Sequence, residues 1–474
     1  MAPRRPDKKS KKRAKAEAMS RAAAMNSSST ANTAPEVTPL HLVRAAEAQL
    51  QEGDAEAALA LAQCALERVT GTGADSNGGK DDGGDGKGAE GDDKDTLLAA
   101  LTVLGQASVE LGQPNPARAY YLRAARLDPD GARGGAETFL CLAQLSEEGG
   151  KDSVGWFEQG AAALKARIQS LEESLATTTT TSTTAAARRI RKSGGDGDGV
   201  GDGRGEEDER RREAEELKHK LAMTLCSVAE VYMTDLSWEA DAEARCEALV
   251  TEATLTAPDL AEAWQTLADV RISQGRPDDA RAALARGLDL WRALPPLHPA
   301  VPDFPSRVAL ARLLMEVEQE RDAIEVLERL VAEDDHSVET WYLGGWGLYV
   351  LGEKQREREQ EAAATSQGGK PKNPTAQGGN KPGTDGEKNN ADHNDDEEED
   401  WKASWISSRV WLNQCLHLYK LQDYEDERLG EHAQELLAAI AKELGDAPAD
   451  DDDDDDDDDE GWEDAGDSDE EMQG

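Results

Sequence analysis

The sequence contains few aromatic residues. Among 474 residues there are three phenylalanines, and Phe, Trp and Tyr together make up 4% of the chain. A compact enzyme of this length would carry more of the large rings that fill a core. The 43 glycines and the 32% of charged residues instead indicate long solvated segments between folded ones. By length alone, the chain could form two to four domains or one extended array.

Long apolar runs and paired cysteines are also missing. The longest apolar stretches are about half the roughly 20 residues that a transmembrane helix needs, and no apolar signal-peptide core stands near residue 1. The five cysteines are odd in number, lie far apart and include no Cys-x-x-Cys pair. The short apolar stretches predict no membrane contact, and the cysteine spacing predicts reduced, buried thiols in the cytosol or nucleus, with no disulfide and no zinc site.

Motifs for catalysis or cofactor binding are absent or out of context. Residues 86–91 fit Gly-x-Gly-x-x-Gly, but they lie in an acidic stretch with no strand before them, so we interpret the match as chance. No Gly-x-x-x-x-Gly-Lys-Ser/Thr loop and no His-x-x-x-His or His-Glu-x-x-His pair occurs. His417 and His432 are interpreted as structural or exposed. The chain is therefore predicted to be no enzyme and to hold no cofactor and no metal.

Positive charge is scarce and concentrated at one end. The 53 Lys and Arg face 98 Asp and Glu, which gives a net charge of −45. Residues 1–35 hold nine Lys/Arg and two acids, whereas residues 446–474 hold 18 acids and no Lys or Arg. Such a balance argues against direct binding of nucleic acid and favours a basic protein partner.

The two ends are predicted to be disordered. The head, residues 1–38, contains a basic cluster that fits a nuclear import signal; the alternatives are a solvated tail or nonspecific contact with RNA. The cluster consists of Lys8, Lys9, Lys11, Lys12, Arg13 and Lys15. In the tail, residues 446–474, like charges repel at every step of the acidic run, so it does not fold. The tail is either a polyanion that shields a basic protein from RNA or a solubilising segment.

Three low-complexity inserts interrupt the remaining sequence at residues 71–94, 176–210 and 353–400. Each has too few apolar residues to offset the entropy of ordering, so we expect solvated loops. A basic patch at residues 188–192 within the second insert could be another import signal, although a solvated loop fits it better. Between the inserts, Ala, Leu and Glu recur at helical spacing without the alternation of strands, which predicts an all-α fold.

The segment at residues 261–291 shows how the helices are organised. Trp264, Leu267 and Ala268 precede Gly275, and Ala280 follows at the distance expected for a second helix. The small residues allow two antiparallel helices to approach closely, and the glycine supplies a left-handed turn. The pattern resembles the tetratricopeptide repeat of about 34 residues. A second full copy spans residues 101–129, and weaker copies bring the number to about seven, before a capping helix at residues 429–444.

Such an array is a superhelical solenoid, here assigned to residues 39–445, whose first helices line a concave groove that binds extended peptides. The projected inward positions alternate carboxylates, amides and aromatics, which suits a basic segment, although exposed helix positions are often Glu in any case. The candidate partner-binding residues are Glu110, Glu137, Glu147, Glu230, Glu262, Gln265, Asp269, Glu339, Tyr342 and Trp346.

Three segments carry a more specific resemblance. They are WYLGGWGLYVLGEK (341–354), WISSRVWLNQCLHLYKLQDYEDERLGEHAQELL (405–437) and the tail ending DDEGWEDAGDSDEEMQG. With the basic head and the repeats, they resemble the fungal dedicated assembly chaperones of large-subunit ribosomal protein four. The resemblance covers nearly all of the chain. It implies a monomer that binds the basic internal loop of this newly made client in a one-to-one complex and prevents its aggregation and degradation.

The same resemblance implies escort from cytoplasm to nucleus for assembly of the 60S pre-ribosome, with an import receptor as a further partner. A helical-repeat scaffold in a nuclear RNA-processing complex is the alternative, and the two differ in salt dependence, because binding of a basic client weakens as salt rises. A clamp for the C-terminal carboxylate of a heat-shock protein is disfavoured, since it needs Lys or Arg where this chain has acidic or neutral residues.

Overall fold

The structure is a computed structural model that describes residues 38–72, 89–190, 202–368 and 401–445. Within these ranges the chain forms fifteen helices and no strand, which confirms the predicted all-α fold class. The chain divides into two compact units, residues 1–306 (unit 1) and residues 307–474 (unit 2). None of the helices in the described ranges has the length and apolarity needed to cross a bilayer.

Ten helices belong to unit 1. They are α1 (Pro39–Gln51), α2 (Ala55–Thr72), α3 (Ala89–Glu110), α4 (Pro114–Leu127), α5 (Glu137–Gln144), α6 (Gly150–Ile190), α7 (Asp202–Met233), α8 (Ala242–Thr256), α9 (Ala261–Ser273) and α10 (Pro277–Asp289). Unit 2 contains α11, whose first turn precedes the boundary, and four more helices. They are α11 (Phe304–Glu316), α12 (Glu320–Glu333), α13 (Val338–Gly368), α14 (Trp401–Gln422) and α15 (Glu427–Leu444).

Helices within each unit pack against their near neighbours in sequence. In unit 1, consecutive helices from α1 to α10 are in contact, and α1 also contacts α3, as α7 contacts α9. In unit 2, α13 contacts both α14 and α15. Contact between a helix and the next but one is what stacked helix pairs of a repeat array produce. The fold is therefore the predicted tetratricopeptide-repeat solenoid.

The turn between α9 and α10 follows the sequence-based prediction. Gly275 has a φ of +67°, a left-handed conformation that residues with a Cβ rarely adopt. The backbone N–H of Gly275 donates to the Ile272 carbonyl at 2.8 Å, and that of Arg276 donates to the Arg271 carbonyl at 2.9 Å. These bonds satisfy carbonyl groups that the end of α9 leaves without helical partners. Pro277 then starts α10, where its missing N–H costs nothing.

Small and aromatic residues have separate roles in this helix pair. Ala268 on α9 and Ala280 on α10 are both 0% exposed, as expected where two helices approach closely. Trp264 is half-buried, and its indole N–H donates to the Pro258 carbonyl at 2.9 Å, which fixes the chain just before α9. Trp341 does the same before α13, donating to the Asp335 carbonyl at 2.8 Å. The two repeats therefore begin their first helix with the same contact.

In unit 2, glycines on α13 allow close contact with large side chains of α14. A Cβ on Gly344 would collide with the ring of Trp411, and one on Gly345 would lie 2.7 Å from the Leu412 side chain. The third glycine, Gly352, lies under the ring of Trp405 in the same way. A side chain at any of these positions would force the two helices apart.

The helix after the last pair is amphipathic, as predicted for a cap. Asp426 stands before α15, and its side chain accepts hydrogen bonds from the backbone N–H groups of Arg428 and Leu429. Leu429 and Ile440 are among its buried residues, and the helix packs on α13 and α14. The cap therefore closes the apolar side of the last helix pair.

All five cysteines are free, as predicted, but only three of them are buried. The buried thiols are Cys226, Cys246 and Cys415, whereas Cys64 and Cys141 are half-buried. The prediction of buried thiols is therefore correct for three of the five.

The prediction of loops at the inserts is wrong where helices extend into them. The second insert is helical over residues 176–190 and 202–210, and α13 continues through residues 353–368 of the third. In the first insert, α2 ends at Thr72 and α3 begins at Ala89. Once a helix has formed, each added residue gains one hydrogen bond, so a packed helix extends into sequence that would not nucleate one. Residues 73–88, 191–201 and 369–400 lie outside the described ranges.

Candidate functional site

Three of the predicted carboxylates gather on α7 and α9 of unit 1. Glu230 lies near the end of α7, and Glu262 and Asp269 lie on α9. Burial, followed by the negative charge of Asp269, raises the pKa of Glu230 above its ordinary value. We call Glu230, Glu262 and Asp269 the α7–α9 acidic surface. The raised pKa of Glu230 means that its charged form is disfavoured here, and a bound cation would favour that form.

A buried thiol lies beside this surface. The pKa of Cys226 is raised to about 11, chiefly by burial; the charges of Glu230 and Glu262 add to the rise, and a hydrogen bond with Thr266 opposes it. The thiol is therefore protonated and neutral at pH 7 and adds no charge of its own. Within the described residues no Lys or Arg forms an ion pair with Glu230 or Glu262, so these two carboxylates are not neutralised by an ion pair.

A second group of predicted residues lies at the start of unit 1. Glu110 and Glu137 are both close enough to Tyr121 for their charges to add to the rise in its pKa, which burial chiefly causes. Glu137 also forms an ion pair with Lys220 of α7, and both side chains are about half exposed. Part of the negative charge here is therefore already neutralised within the chain. This position is a weaker candidate for binding a cation than the α7–α9 acidic surface.

Glu147 and Gln265, the other predicted residues of unit 1, belong to neither of these carboxylate groups. Glu147 is exposed and lies in the connection between α5 and α6, not on a first helix, because α5 ends at Gln144. Ser146 and the glycines that follow, with φ of +59° at Gly149, turn the chain at this point. Gln265 is half-buried on α9, on the same helix as the α7–α9 acidic surface.

The three predicted residues of unit 2 line one cleft. Glu339, Tyr342 and Trp346 follow one another at helical spacing on α13 and border a cleft of about 900 Å³ that lies wholly within this unit. The rings of Tyr342 and Trp346 lie 6.0 Å apart, at 33° to one another. Trp346 is 36% exposed, a large fraction for a tryptophan in a concave position. We call this space the α13 cleft.

Other helices contribute residues to the α13 cleft that the sequence pattern does not predict. His432 of α15 shares a hydrogen bond of 2.8 Å with the Tyr342 hydroxyl and meets the Trp346 ring edge to face, with 5.6 Å between ring centroids. The sequence alone predicts only a structural or exposed role for this histidine. Met315 and Glu316 of α11 also line the cleft. No motif or periodicity links residues about ninety positions apart, so only the folded structure brings them together.

Ion pairs occupy part of the rim. Arg312 pairs with Glu339, which half-buries the carboxylate. Lys354 pairs with Glu320 at 2.7 Å and reaches Glu318 at 3.5 Å. The exposed carboxylate of Glu316 has no ion pair within the described part of the chain. The cleft thus combines an aromatic wall, an apolar floor and a negative rim with one carboxylate available to a ligand.

A group of possible metal ligands occurs elsewhere in unit 2. Atoms of Asp334, Asp335 and His336 lie within 4.8 Å of one another between α12 and α13, and all three residues are exposed. His336 pairs with Asp335 at 2.6 Å, and its backbone N–H donates to the Asp334 side chain at 3.0 Å. These contacts explain the arrangement as a turn before α13, and solvated carboxylates of this kind commonly hold no ion. The basic cluster from Lys8 to Lys15 lies outside the described residues.

The chain matches a repeat family over a short stretch and individual known proteins over about half or more of its length. Residues 98–130 match the model of the tetratricopeptide repeat family, at the position of the second predicted copy. A probable assembly chaperone of rpl4 from Emericella nidulans is 40% identical over 443 residues, which cover 92% of this chain and 90% of the relative. A protein of the same description from Schizosaccharomyces pombe is 31% identical over 229 residues, or 48% of this chain and 58% of the relative.

A solved structure supports the same relationship. The structure of an assembly chaperone of RpL4, residues 1–338, aligns with a TM-score of 0.54 and 48% identity, and covers 68% of this chain and 99% of that one. These relatives are described as chaperones, which confirms the prediction that the chain is not an enzyme.

Proposed function

Because the chain belongs to the family of assembly chaperones of rpl4, we propose that it captures newly made rpl4, large-subunit ribosomal protein four, through that client's basic internal loop. The α7–α9 acidic surface is the main site of capture. Lysine and arginine side chains of the loop pair with its carboxylates and relieve their mutual repulsion. A client held in this way is protected from aggregation, from degradation and from stray RNA.

One observation carries this proposal. The pKa of Glu230 is raised by burial and then by the negative charge of Asp269, so negative charge is concentrated at one place on the repeats. A surface that only needed solubility would spread its charges, because like charges at close range destabilise the folded state. The concentration supports a role in binding a cationic segment, whose charges would restore the balance.

The test is the affinity of the full chain for purified rpl4 as a function of salt. We expect binding to weaken as salt rises, because interactions between exposed charges are screened. The triple variant Glu230→Lys, Glu262→Lys, Asp269→Lys should lower the affinity at least tenfold at 150 mM salt, about 1.4 kcal/mol or more.

The matched control is the triple variant Glu56→Lys, Glu216→Lys, Asp289→Lys. It makes the same change in net charge at exposed positions with no ion pair among the described residues. Equal loss of affinity in the two triple variants would mean that net charge alone draws the client. Copurification of a multi-subunit RNA-processing complex, with no stoichiometric rpl4, would favour the scaffold instead.

Escort to the nucleus is the second part of the proposal. The basic cluster of the head is the candidate signal, and an import receptor is then a further partner. The cluster consists of Lys8, Lys9, Lys11, Lys12, Arg13 and Lys15. Replacing all six by alanine should leave the fluorescently tagged chain in the cytoplasm, and an unchanged nuclear fraction would assign import to the client. A single chain binding a single client should appear as a one-to-one complex by light scattering.

A further inference from the structure

We propose that the α13 cleft recognises an arginine side chain and distinguishes it from lysine. In this arrangement the guanidinium group stacks on the exposed ring of Trp346 and pairs with the carboxylate of Glu316. The proposal rests on the proposed function for the source of the arginine, the basic loop of the client. The arginine preference itself follows from the cleft and can be measured without the client.

The first argument is the chemistry of the wall. The indole of tryptophan is the side chain that attracts a cation most strongly to its face, and Trp346 is 36% exposed in the cleft. Arginine carries a planar, weakly hydrated guanidinium that stacks on such a face, whereas the lysine ammonium is compact and strongly hydrated. His432 packs against Trp346, and its hydrogen bond with Tyr342 holds both rings in place. The wall is therefore preformed for a flat cation.

The second argument is the charge of the rim. Five carboxylate residues and three Lys or Arg residues line the α13 cleft, so the balance is negative. Arg312 and Lys354 are already paired with Glu339, Glu318 and Glu320, and the third cation of the lining is Arg428, which stands two residues after Asp426 in sequence. Glu316 has no ion pair in the part of the chain that the structure describes, and a carboxylate is the group that pairs bidentately with a guanidinium. The cleft thus supplies both halves of an arginine site.

The same charges exclude other occupants. A phosphate or a carboxylate ligand would face a rim that is already negative. The chain's own residues 446–474 carry 18 acids and no Lys or Arg, so the cleft repels them as well. A purely apolar side chain would fit the floor of Met315, Leu343 and Val350, but would leave Glu316 unused. A cationic side chain with an apolar stem satisfies both the floor and the rim.

The direct test uses short probes on the full chain. The protein is labelled with 5-fluorotryptophan, its Trp346 signal is assigned by comparison with Trp346→Phe, and acetyl-Gly-Arg-Gly-amide is titrated by fluorine NMR. The corresponding lysine and citrulline peptides are titrated in parallel. We expect a saturable shift with arginine, binding about fivefold weaker with lysine, and no saturable shift with the uncharged citrulline. Equal shifts with all three peptides, or no shift with arginine, would overturn the proposal.

Two variants test the roles of the named side chains. In Glu316→Gln, arginine should lose most of its advantage over citrulline, whereas Glu328→Gln, at an exposed position of α12 outside the cleft, should change nothing. Trp346→Leu should weaken binding of the arginine peptide at least fivefold, measured by calorimetry, with an unchanged circular dichroism spectrum. Retained arginine preference in Trp346→Leu would mean that the ring does not make the contact.

Binding of rpl4 then separates this inference from the proposed function. If wild-type chain binds rpl4, and the α7–α9 triple variant weakens binding while Trp346→Leu and Glu316→Gln do not, the chaperone function stands and the arginine site is wrong. If wild-type chain does not bind rpl4 but the arginine peptide still shifts Trp346 selectively, the arginine site stands and the function is wrong.

Discussion

The α9–α10 pair of unit 1 and the α13–α14 pair of unit 2 bring their helices together in different ways. In unit 1, alanines such as Ala268 and Ala280 are fully buried where α9 meets α10. In unit 2, glycines of α13 lie under the rings of Trp411 and Trp405 on α14. Alanine against alanine gives a close approach with little geometric demand, whereas a ring over a glycine fits only one arrangement. The difference shows that one repeat architecture can be built with a tolerant or with a demanding interface.

The two candidate surfaces differ in a corresponding way. The α7–α9 acidic surface includes Glu230, whose pKa is raised by burial and, to a smaller extent, by the negative charge of Asp269. The α13 cleft instead holds most of its carboxylates in ion pairs beside an aromatic wall. The first arrangement attracts cations at a distance and is sensitive to salt, and the second recognises shape at contact. On the two proposals above, the acidic surface of unit 1 captures the basic segment by charge, and the cleft of unit 2 selects arginine by stacking.

The largest expected effect is on the aromatic packing of unit 2. Trp405 is 2% exposed, stacks on Tyr349 with 5.2 Å between ring centroids, and donates its indole N–H to the Tyr349 carbonyl at 3.0 Å. Trp405→Ala should lower the free energy of unfolding by about 3–5 kcal/mol, measured in urea, because it leaves a cavity and an unmade hydrogen bond. Trp238→Ala, at a site 74% exposed, should change it by less than about 0.5 kcal/mol. A similar loss of unfolding free energy at both sites would mean that burial of the Trp405 ring does not stabilise unit 2.

A smaller effect is expected from filling the glycine interface. In Gly344→Ala, the new methyl group would meet the Trp411 ring, so we expect a loss of about 1–3 kcal/mol in the free energy of unfolding. The matched control is Gly347→Ala on the same helix, where the nearest atoms, in Ile324 and Met315, are 3.6 and 3.8 Å away. This change should stabilise the helix by about 0.5–1 kcal/mol, because alanine loses less backbone entropy than glycine. A loss of stability in Gly344→Ala with a gain in Gly347→Ala would support close packing of the Trp411 ring on Gly344. Changes of the same sign in both variants would refute it.

The smallest effect concerns the charge of unit 1. Since the folded-state pKa of Glu230 is raised, its charged form destabilises the folded protein at pH values above that pKa, and this cost disappears as the pH falls through it. Glu230→Gln should therefore raise the free energy of unfolding by a few tenths of a kcal/mol at pH 7, with a difference that shrinks at lower pH. The same variant should bind rpl4 less tightly. Unfolding in urea at several pH values, with Glu216→Gln as control, measures the stability difference and its change with pH. If Glu230→Gln were less stable than the unsubstituted chain at pH 7, the charge of Glu230 would not be destabilising.

Much of the fold was predictable because packing and turns leave local patterns. The small residues at Ala268 and Ala280, with Gly275 between them, identify two helices and their turn from spacing alone. The helical extensions at residues 176–190 and 202–210 were not predictable, since their Thr, Arg and Asp content gives no apolar stripe. Helix elongation from a packed segment decides the structure there, and composition does not record it.

The candidate sites show the same limit. Tyr342 and Trp346 were found because both lie at helical spacing on α13, and Glu230, Glu262 and Asp269 because carboxylates recur on first helices. The signal missed His432, which comes from the capping helix, and Glu316, which comes from α11. Neighbours across a cleft are chosen by tertiary packing, so no property of the local sequence marks them. The raised pKa of Glu230 likewise depends on the distance to Asp269, a quantity that no spacing rule contains.

The indole contacts that precede α9 and α13 provide two local probes of hydrogen exchange. Trp264 in unit 1 and Trp341 in unit 2 each donate an N–H to a carbonyl six residues earlier. Such a hydrogen exchanges with deuterium only when its turn opens, so its exchange rate reports the local opening of one repeat. Followed in one sample, the two rates would show whether the opening of one repeat is accompanied by the opening of the other. Added client should slow hydrogen exchange at the indole N–H of the repeat that it binds.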